Sequence, residues 1–206
     1  MTVHVRDAQH FEIDTVARLL GEAFAVDPSA RRIVGDRAPG DAAEELTGLL
    51  EVIIRHHYLP AGRVDVAVGE DGTMLGAALW DRPGSSLGLK AQVLAAPRYL
   101  RLVGRRLPAV ARDGLRFRGY PPKFPHWYLY MLGARPEARG KGVGTALLDH
   151  GLERAGDDPA YLEASTPASA ALYERVGFVP LGESPVATPG YAPEIGMWRP
   201  GAMPGR

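Results

Sequence analysis

A glycine-rich turn between an apolar run and a helical pattern constrains this chain more than any other feature. The apolar run covers Tyr128 to Leu132, the turn follows at 139–144, and Ala146 to Leu148 continue as a helical pattern. Glycines let backbone amides approach an anion closely, and the first turn of a helix adds unpaired amides and the positive end of its dipole. The order of strand, glycine turn and helix therefore predicts a phosphate-binding loop.

The positions of the glycines exclude two common kinds of phosphate loop. A P-loop needs lysine followed directly by serine or threonine, but Lys141 is followed by Gly142. A dinucleotide-binding fingerprint needs a third glycine three positions after the second, and Thr145 stands there instead. The pattern that remains is Arg-x-x-Gly-x-Gly over residues 139–144.

A second motif lies downstream, at Tyr173-Glu174-Arg175-Val176-Gly177-Phe178. Together the two motifs resemble the GNAT superfamily of acyl-CoA-dependent N-acetyltransferases, in which the loop holds the coenzyme pyrophosphate and the tyrosine faces the thioester sulfur. Two ordered motifs in a strand, turn and helix context are more specific than either alone. The alternative is an ordinary solvated turn followed by a tyrosine that packs its ring on the core.

The order of predicted elements agrees with this resemblance. Hydrophobic spacing predicts a strand at 3–6, a helix capped by Asp7 and ending near Asp27, a second helix at about 41–57, a β-hairpin at 64–81 and a helical middle section. Next come the motif strand at 128–132, a helix at 142–154 and a strand at 160–164. The tyrosine helix and two closing strands, near 178–181 and 194–198, complete the order.

The resemblance implies an α/β (α+β) GNAT fold over one domain, residues 1–206. Its expected form is a central, mixed, mostly antiparallel sheet of six to seven strands, flanked by about four or more helices, with two splayed adjacent parallel strands at the coenzyme site. Five segments, at 23–28, 77–80, 126–129, 136–144 and 159–165, carry a closer resemblance. They are similar to the antibiotic-resistance branch of the superfamily that includes puromycin N-acetyltransferase. The region 81–125 departs from that branch, and we expect the acceptor-contacting loops there.

Composition narrows the classes of partner. Lys plus Arg and Asp plus Glu both number 24, so the bulk charge favours neither nucleic acid nor a membrane surface. Cysteine is absent, which excludes disulfides, cysteine nucleophiles and cysteine-based zinc sites. We predict no metal, because His56, His57 and His126 lack a matching ligand set. Without a long apolar segment or the apolar core of a signal peptide, we expect a soluble, cytoplasmic protein.

The resemblance implies acetyl-CoA as cosubstrate and suggests where it binds. Backbone groups of Leu132, Gly133 and Ala134 would pair with the pantetheine arm, and a β-bulge usual in that strand aims the thioester. The Leu132 amide is the expected oxyanion donor. Ser169 stands where many relatives carry an asparagine that touches the pantetheine arm. The pyrophosphate would be held by the amides of Arg139, Gly140, Lys141, Gly142, Val143, Gly144 and Thr145.

Two residues are the candidates for proton chemistry. The resemblance implies that Tyr173 assists the departing thiolate. A phenol has a pKa near ~10 and a thiol has a pKa near ~8.5, so a strong hydrogen bond is favoured over full proton transfer. Glu163 ends a strand beside the motif strand and is the first candidate to take the amine proton, directly or through water. The alternative for Glu163 is a strand-end acid paired with an arginine. Glu22 and Asp27 are weaker candidates.

The acceptor side is less determined. The expected acceptor contacts are Phe24, Asp27, Trp80 and Tyr128, with Tyr130. Packing in the core explains the aromatic residues among them as well. We expect direct transfer to the primary amine of a small molecule in a ternary complex. The alternative functions are a protein acetyltransferase and a non-catalytic acyl-CoA sensor. If the protein assembles, we expect a homodimer.

The stretch from Arg98 to Lys123 carries eight basic residues against Asp113. It could contact an acidic acceptor, a neighbouring subunit or the 3′-phosphate of the coenzyme. A solvated helix face explains the same charges.

Overall fold

A seven-stranded sheet in the order β1-β2-β3-β4-β5-β7-β6 forms the centre of this computed structural model, which describes residues 2–85, 87–186 and 190–202. Neighbouring strands are antiparallel except β4 and β5, which are parallel. The expected mixed, mostly antiparallel sheet is confirmed. The strands are β1 (Val3–Asp7), β2 (Arg63–Gly69), β3 (Met74–Asp81), β4 (Trp127–Ala134), β5 (Ala160–Ala164), β6 (Val179–Glu183) and β7 (Ile195–Arg199).

Seven α-helices, counted over the described ranges, accompany this sheet. The second predicted helix is present, but it continues into a π-helical turn at Ile54–Tyr58. The short helix α2 follows Asp27 and was not predicted. The helices are α1 (Ile13–Phe24), α2 (Pro28–Val34), α3 (Pro39–Ile53), α4 (Leu89–Val103), α5 (Leu107–Phe117), α6 (Val143–Ala155) and α7 (Pro167–Arg175).

The prediction that Asp7 caps the first helix is wrong. Asp7 is the last residue of β1, where it pairs with Asp65 in register. The helical segment begins instead at a capping box, in which the backbone amide of Gln9 donates to Glu12 Oε2 at 2.8 Å. The reason is that β1 continues one residue further than its apolar pattern indicates, so the chain turns later.

Each face of the sheet has its own core. The helices α1 and α3 pack on one face with Ala77 and Leu79 of β3, whereas α6 and α7 pack on the other with Ala78 and Trp80. Trp80 has no exposed surface. A Cβ atom at Gly151 of α6 would lie 2.5 Å from the Trp80 ring, so the missing side chain lets the helix sit directly on the indole.

The parallel strands β4 and β5 separate partway along their length. They pair only from Trp127 to Leu129, after which Glu163 of β5 pairs with Gly196 of β7. The remainder of β4 pairs with β3 alone, and a register shift there leaves Tyr130 as an extra residue. The splay and the bulge that the resemblance implies are therefore both present, and they open a cleft in the middle of the sheet.

None of the helices in the described part of the chain combines the length and hydropathy that crossing a bilayer requires.

Candidate active site

The cleft between β4 and β5 exposes a free strand edge. Leu132, Gly133 and Ala134 lie on this part of β4 and pair with β3 on one side only. A Cβ atom at Gly133 would lie 3.0 Å from Leu20 of α1, which shows how closely this helix covers the strand. Free backbone amides and carbonyls of a strand edge bind extended, amide-containing chains. The edge therefore fits the pantetheine arm of a coenzyme A thioester.

The glycine-rich turn adopts a conformation suited to an anion. Gly140 and Gly142 have φ angles of 73° and 83°, values that L side chains rarely adopt. The amides of Arg139 and Lys141 bond back within the turn, both at 3.3 Å. Among the described residues, the other five amides from 140 to 145 have no hydrogen-bond partner. Since α6 begins at Val143, these amides and the helix terminus form a site that fits a pyrophosphate.

Tyr173 lies on α7 and its ring packs edge-on against Phe178, with centroids 6.1 Å apart. The side chain is buried, and the hydroxyl has no hydrogen-bond partner among the residues described. Burial raises the pKa of Tyr173, and the nearby Asp27 carboxylate raises it further. The phenol therefore stays protonated at neutral pH and is suited to donate a hydrogen bond to a developing thiolate.

Both oxygens of Asp27 are used by the protein. Oδ1 accepts from the Ser29 amide at 2.8 Å and caps α2, while Oδ2 accepts from the Ser165 hydroxyl at 2.8 Å. Phe24, three residues earlier, is partly buried on the core that α1 and α3 form. Asp27 thus joins the end of α1 to the end of β5, Phe24 lies beside Gly133 of β4, and neither residue lines the acceptor cavity described next.

An open cavity of about 430 Å³ lies on the α1 and α3 face of the sheet, next to the splayed strands. Most of its wall comes from residues 81–125, the region in which the sequence predicts acceptor loops. Tyr161, Phe117 and Phe124 were not predicted to belong to it. Tyr161 stands two residues before Glu163 in β5, and strand alternation could have placed the two on one face. The lining residues are Asp81, Arg82, Gly84, Ser85, Phe117, Pro121, Pro122, Lys123, Phe124, Pro125, His126, Tyr128, Tyr161 and Glu163.

Glu163 is a partly buried carboxylate in the wall of this cavity. The Tyr128 hydroxyl donates to Oε2 at 2.8 Å, whereas the buried Oε1 and the neighbouring buried hydroxyl of Tyr161 both lack a hydrogen-bond partner in the described residues. Burial raises the pKa of Glu163 to about 7, and the Tyr128 and Tyr161 hydroxyls only partly offset this rise. A carboxylate that is about half ionised at neutral pH and has one free oxygen suits a general base.

A row of aromatic rings continues from Glu163 along the same face of the sheet. Tyr161 stacks on Tyr128 at 5.9 Å, Tyr128 contacts Tyr130 at 6.2 Å, and Tyr130 stacks on Tyr58 at 5.8 Å. His126 meets Tyr161 edge-on at 5.5 Å. Aromatic faces attract organic cations and planar groups, so this row suits an amine that carries an apolar or aromatic body.

The π-helical turn supplies a polar cluster at the other end of the cavity. The buried His57 places Nε2 2.5 Å from Asp81 Oδ1, and the Tyr58 hydroxyl donates to Asp81 Oδ2 at 3.1 Å. His57 was considered in the sequence only as a metal ligand. Its contact with Asp81 joins the end of α3 to the end of β3 and holds this cavity residue in place.

Trp80 is also outside the cavity, and the Ser169 hydroxyl is used to cap a helix. Trp80 faces α6 on the opposite side of the sheet and does not line the cavity, because the alternation along β3 turns Asp81 and not Trp80 toward the acceptor side. The Ser169 hydroxyl belongs to a capping box with Thr166: it donates to the Thr166 carbonyl at 2.8 Å and accepts from the Thr166 amide at 3.1 Å. Capping of α7 leaves this hydroxyl no proton for a pantetheine carbonyl.

Comparisons with known proteins agree with this geometry. The model of the acetyltransferase (GNAT) family matches residues 55–178. The chain is 41% identical to a protein of Corynebacterium glutamicum ATCC 13032 whose structure is described as "histone acetyltransferase HPA2 and related acetyltransferase", with a TM-score of 0.80 and 99% of each chain covered. A phosphinothricin acetyltransferase from Sinorhizobium meliloti, solved with AcCoA, shares the fold at 20% identity and a TM-score of 0.56, over 98% of this chain and 90% of that one.

One further relative matches over a short segment. A mycothiol acetyltransferase from Paenarthrobacter aurescens (strain TC1) is 35% identical over 68 residues, which are 29% of this chain. The match spans only 21% of that protein. The family match covers more than half of this chain, and the cleft and the loop fit the coenzyme that the family uses. The chain therefore belongs to the GNAT family and is an acetyl-CoA-dependent acetyltransferase.

Proposed function

We propose that this enzyme acetylates the primary amine of a small molecule that binds in the cavity beside Glu163. The observation that carries the proposal is the buried, unpaired Oε1 of Glu163 in the cavity wall. An unpaired buried acceptor is costly unless a ligand uses it, and an amine or ammonium group supplies the missing donor. The aromatic row beside it supports an acceptor with an apolar or aromatic body.

The proposed reaction is direct transfer in a ternary complex. Glu163 takes a proton from the ammonium group, and the neutral nitrogen attacks the thioester carbonyl carbon. A C–N bond forms and the C–S bond breaks, so the coenzyme leaves as a thiolate that accepts a hydrogen bond from Tyr173. The second proton of the nitrogen then passes to this thiolate, which leaves the amide and the free thiol as products. The Leu132 amide is the proposed donor to the oxyanion.

The pKa of Glu163 favours acceptors of low basicity. An ammonium group of the lysine type, with a pKa near ~10.4, costs roughly 4.6 kcal/mol to deprotonate at pH 7, whereas an α-amino group near ~7.8 costs only about 1 kcal/mol. A base with a pKa of about 7 matches the second kind of amine. We therefore propose that α-amino compounds are better acceptors than lysine-type amines.

Protein acetylation is the second candidate function. A protein substrate would need an open groove for an extended segment. The segment 117–126 instead walls one side of the cavity, which favours a small acceptor. A protein substrate stays under test because this chain is similar to the Corynebacterium glutamicum protein whose structure is described as a histone acetyltransferase HPA2 and related acetyltransferase.

The experiment is thiol release from acetyl-CoA by the purified enzyme across a panel of amines. The panel contains puromycin, arylalkylamines, α-amino amides, polyamines, aminoglycosides and peptides with a free N-terminus or lysine. We expect release with a small α-amino or aromatic amine, a loss of about 10²-fold in Tyr173→Phe and a loss of 10²- to 10⁴-fold in Glu163→Gln.

Release with peptides alone would overturn the small-molecule proposal. Unchanged turnover in Glu163→Gln would remove its role as base. Binding of acetyl-CoA, seen as a rise in melting temperature, without release for any amine in the panel would favour a sensor that only binds the coenzyme.

A further inference from the structure

We infer that a cleft lined by arginines between α2 and α5 binds an anion with two or more carboxylate or phosphate groups. The cleft has a volume of about 640 Å³ and is separate in its lining from the acceptor cavity. Two aspartates, Asp36 and Asp113, also line it. The arginines are Arg31 and Arg32 of α2, Arg106 before α5, and Arg112 and Arg116 of α5.

The backbone fixes one of these guanidinium groups in place. Arg106 Nη1 donates to the Arg31 carbonyl at 3.3 Å. Its guanidinium lies directly over Gly35, where a Cβ atom would fall 1.8 Å from Nη1. Gly35 also has a φ of 72°, so glycine is required there both for the conformation and for the space. A guanidinium held in this way loses little freedom when it binds a ligand.

The positive charge in the cleft is only partly neutralised. The buried Arg31 Nε has no hydrogen-bond partner among the residues described. The Asp36 side chain is fully exposed and lies 3.7 Å from Arg106. Asp113 lies 3.7 Å from Arg112, which is itself largely exposed. An anion would supply the acceptors that these donors lack.

The two arginines of α5 reinforce this inference. Arg112 and Arg116 stand four residues apart and therefore share one face of the helix, where like charges repel. Within the described ranges Arg116 has no carboxylate partner, and no residue of α5 is buried. An anion bound between α2 and α5 would relieve the repulsion and add contacts to a helix that packs loosely.

The arrangement of the donors indicates the class of ligand. Guanidinium groups bind carboxylates and phosphates in pairs of hydrogen bonds, and arginines on both walls of a recess match a compact ligand with several such groups. A long polyanion is a poorer match, since the protein has no net charge and the arginines are gathered in one cleft.

The cleft is linked to the acceptor side through Arg32. Its Nη2 atom lies 3.2 Å from Glu194 Oε1. The two charges act on Glu163 in opposite directions: Glu194 raises the pKa of Glu163, and Arg32 lowers it. The anion can therefore be a substituent of the acceptor or a separate small molecule. This part of the inference rests on the proposed function, whereas anion binding itself does not.

Binding is tested by calorimetric titration of citrate and pyrophosphate at constant ionic strength, with acetyl-CoA saturating so that the glycine loop is filled. The cleft variant is Arg112→Gln with Arg116→Gln. The matched control is Arg105→Gln with Arg118→Gln, which removes two arginines of the same segment that do not line the cleft. We expect binding to the wild type and the control, and at least tenfold weaker binding to the cleft variant.

Absence of binding to the wild type, or an equal loss in both double variants, would overturn the inference. Gly35→Ala gives a second check, because it displaces Arg106 without removing a charge, and unchanged affinity in that variant would contradict the role of Arg106.

The two sources of the anion are separated by kinetics once an acceptor amine is known. Competitive inhibition by citrate against the amine, with a preference for acidic amines that the cleft variant loses, would assign the cleft to the acceptor. Non-competitive effects would assign it to a separate anion. Failure of every amine in the thiol assay would count against the proposed function alone, since the titration does not depend on turnover.

Discussion

Replacement of Glu163 by glutamine should stabilise the protein in a manner that depends on pH. The folded protein raises the pKa of this carboxyl group from 4.5 to about 7, chiefly through burial. Between these two pH values the folded state keeps a proton that the unfolded chain has lost. The free energy of unfolding therefore falls as the pH rises through this window, and it stays low above about pH 7.

The magnitude follows from the size of the shift. A rise of about 2.5 units corresponds to about 3 kcal/mol, because each unit is worth about 1.4 kcal/mol. Glutamine has the same shape as the protonated acid, can still accept from Tyr128 and has no charge to bury. Glu163→Gln should therefore match the wild type near pH ~4 and exceed its unfolding free energy by about 3 kcal/mol near pH ~8.

Urea denaturation across this pH range measures the difference directly. Other carboxylates titrate in both proteins, so the difference between wild type and variant isolates Glu163. Glu70→Gln, at an exposed position beside the hairpin turn, is the control and should show no such trend. A difference that is constant with pH, or an unfolding free energy that favours the wild type near pH ~8, would refute the argument that a buried base costs this protein stability.

Three further variants test the loop, the cap and the buried ion pair. Gly142→Ala should weaken acetyl-CoA binding, because alanine at a φ of 83° strains the loop by about 1–2 kcal/mol; Gly72→Ala, at a φ of 80° in the turn between β2 and β3 and with free space for a Cβ atom, should leave the affinity unchanged in titration. Ser169→Ala should lower the unfolding free energy by about 1 kcal/mol through loss of the cap and leave KM for acetyl-CoA unchanged; a tenfold rise in KM would return Ser169 to the coenzyme site. Arg154→Met should lower the unfolding free energy by about 3 kcal/mol at neutral pH, because it leaves the fully buried Asp65 without its hydrogen-bonded partner and with only His150 nearby, at 3.8 Å. Adding Asp65→Asn should recover most of that loss, and no recovery would show that Arg154 acts through packing instead.

Much of the coenzyme side could be read from the sequence. The glycine turn, the helix after it and the Tyr173 segment are local patterns in which each residue type follows from the backbone conformation or the neighbouring element. Gly140 and Gly142 have the positive φ angles that such a turn needs. The resemblance that implied the family and the fold rests on these patterns, which are local in the sequence.

The acceptor side could not be read in the same way. Trp80 was expected in the pocket because it is aromatic, but side-chain direction depends on the register between β3 and β4 and on the bulge at Tyr130. The contact of His57 with Asp81 depends on a π-helical turn that no local pattern predicted.

By itself the sequence determined most of the order of the elements, the glycine loop that fits a pyrophosphate and the position of Glu163 in its strand. Only the tertiary structure decided that Tyr128 holds Glu163, that segment 117–126 walls the cavity, and that arginines of α2 and α5 share one cleft. The physical reason is range: turns and helices are set by neighbours along the chain, whereas pockets form where distant segments pack, and their packing depends on contacts across the whole core.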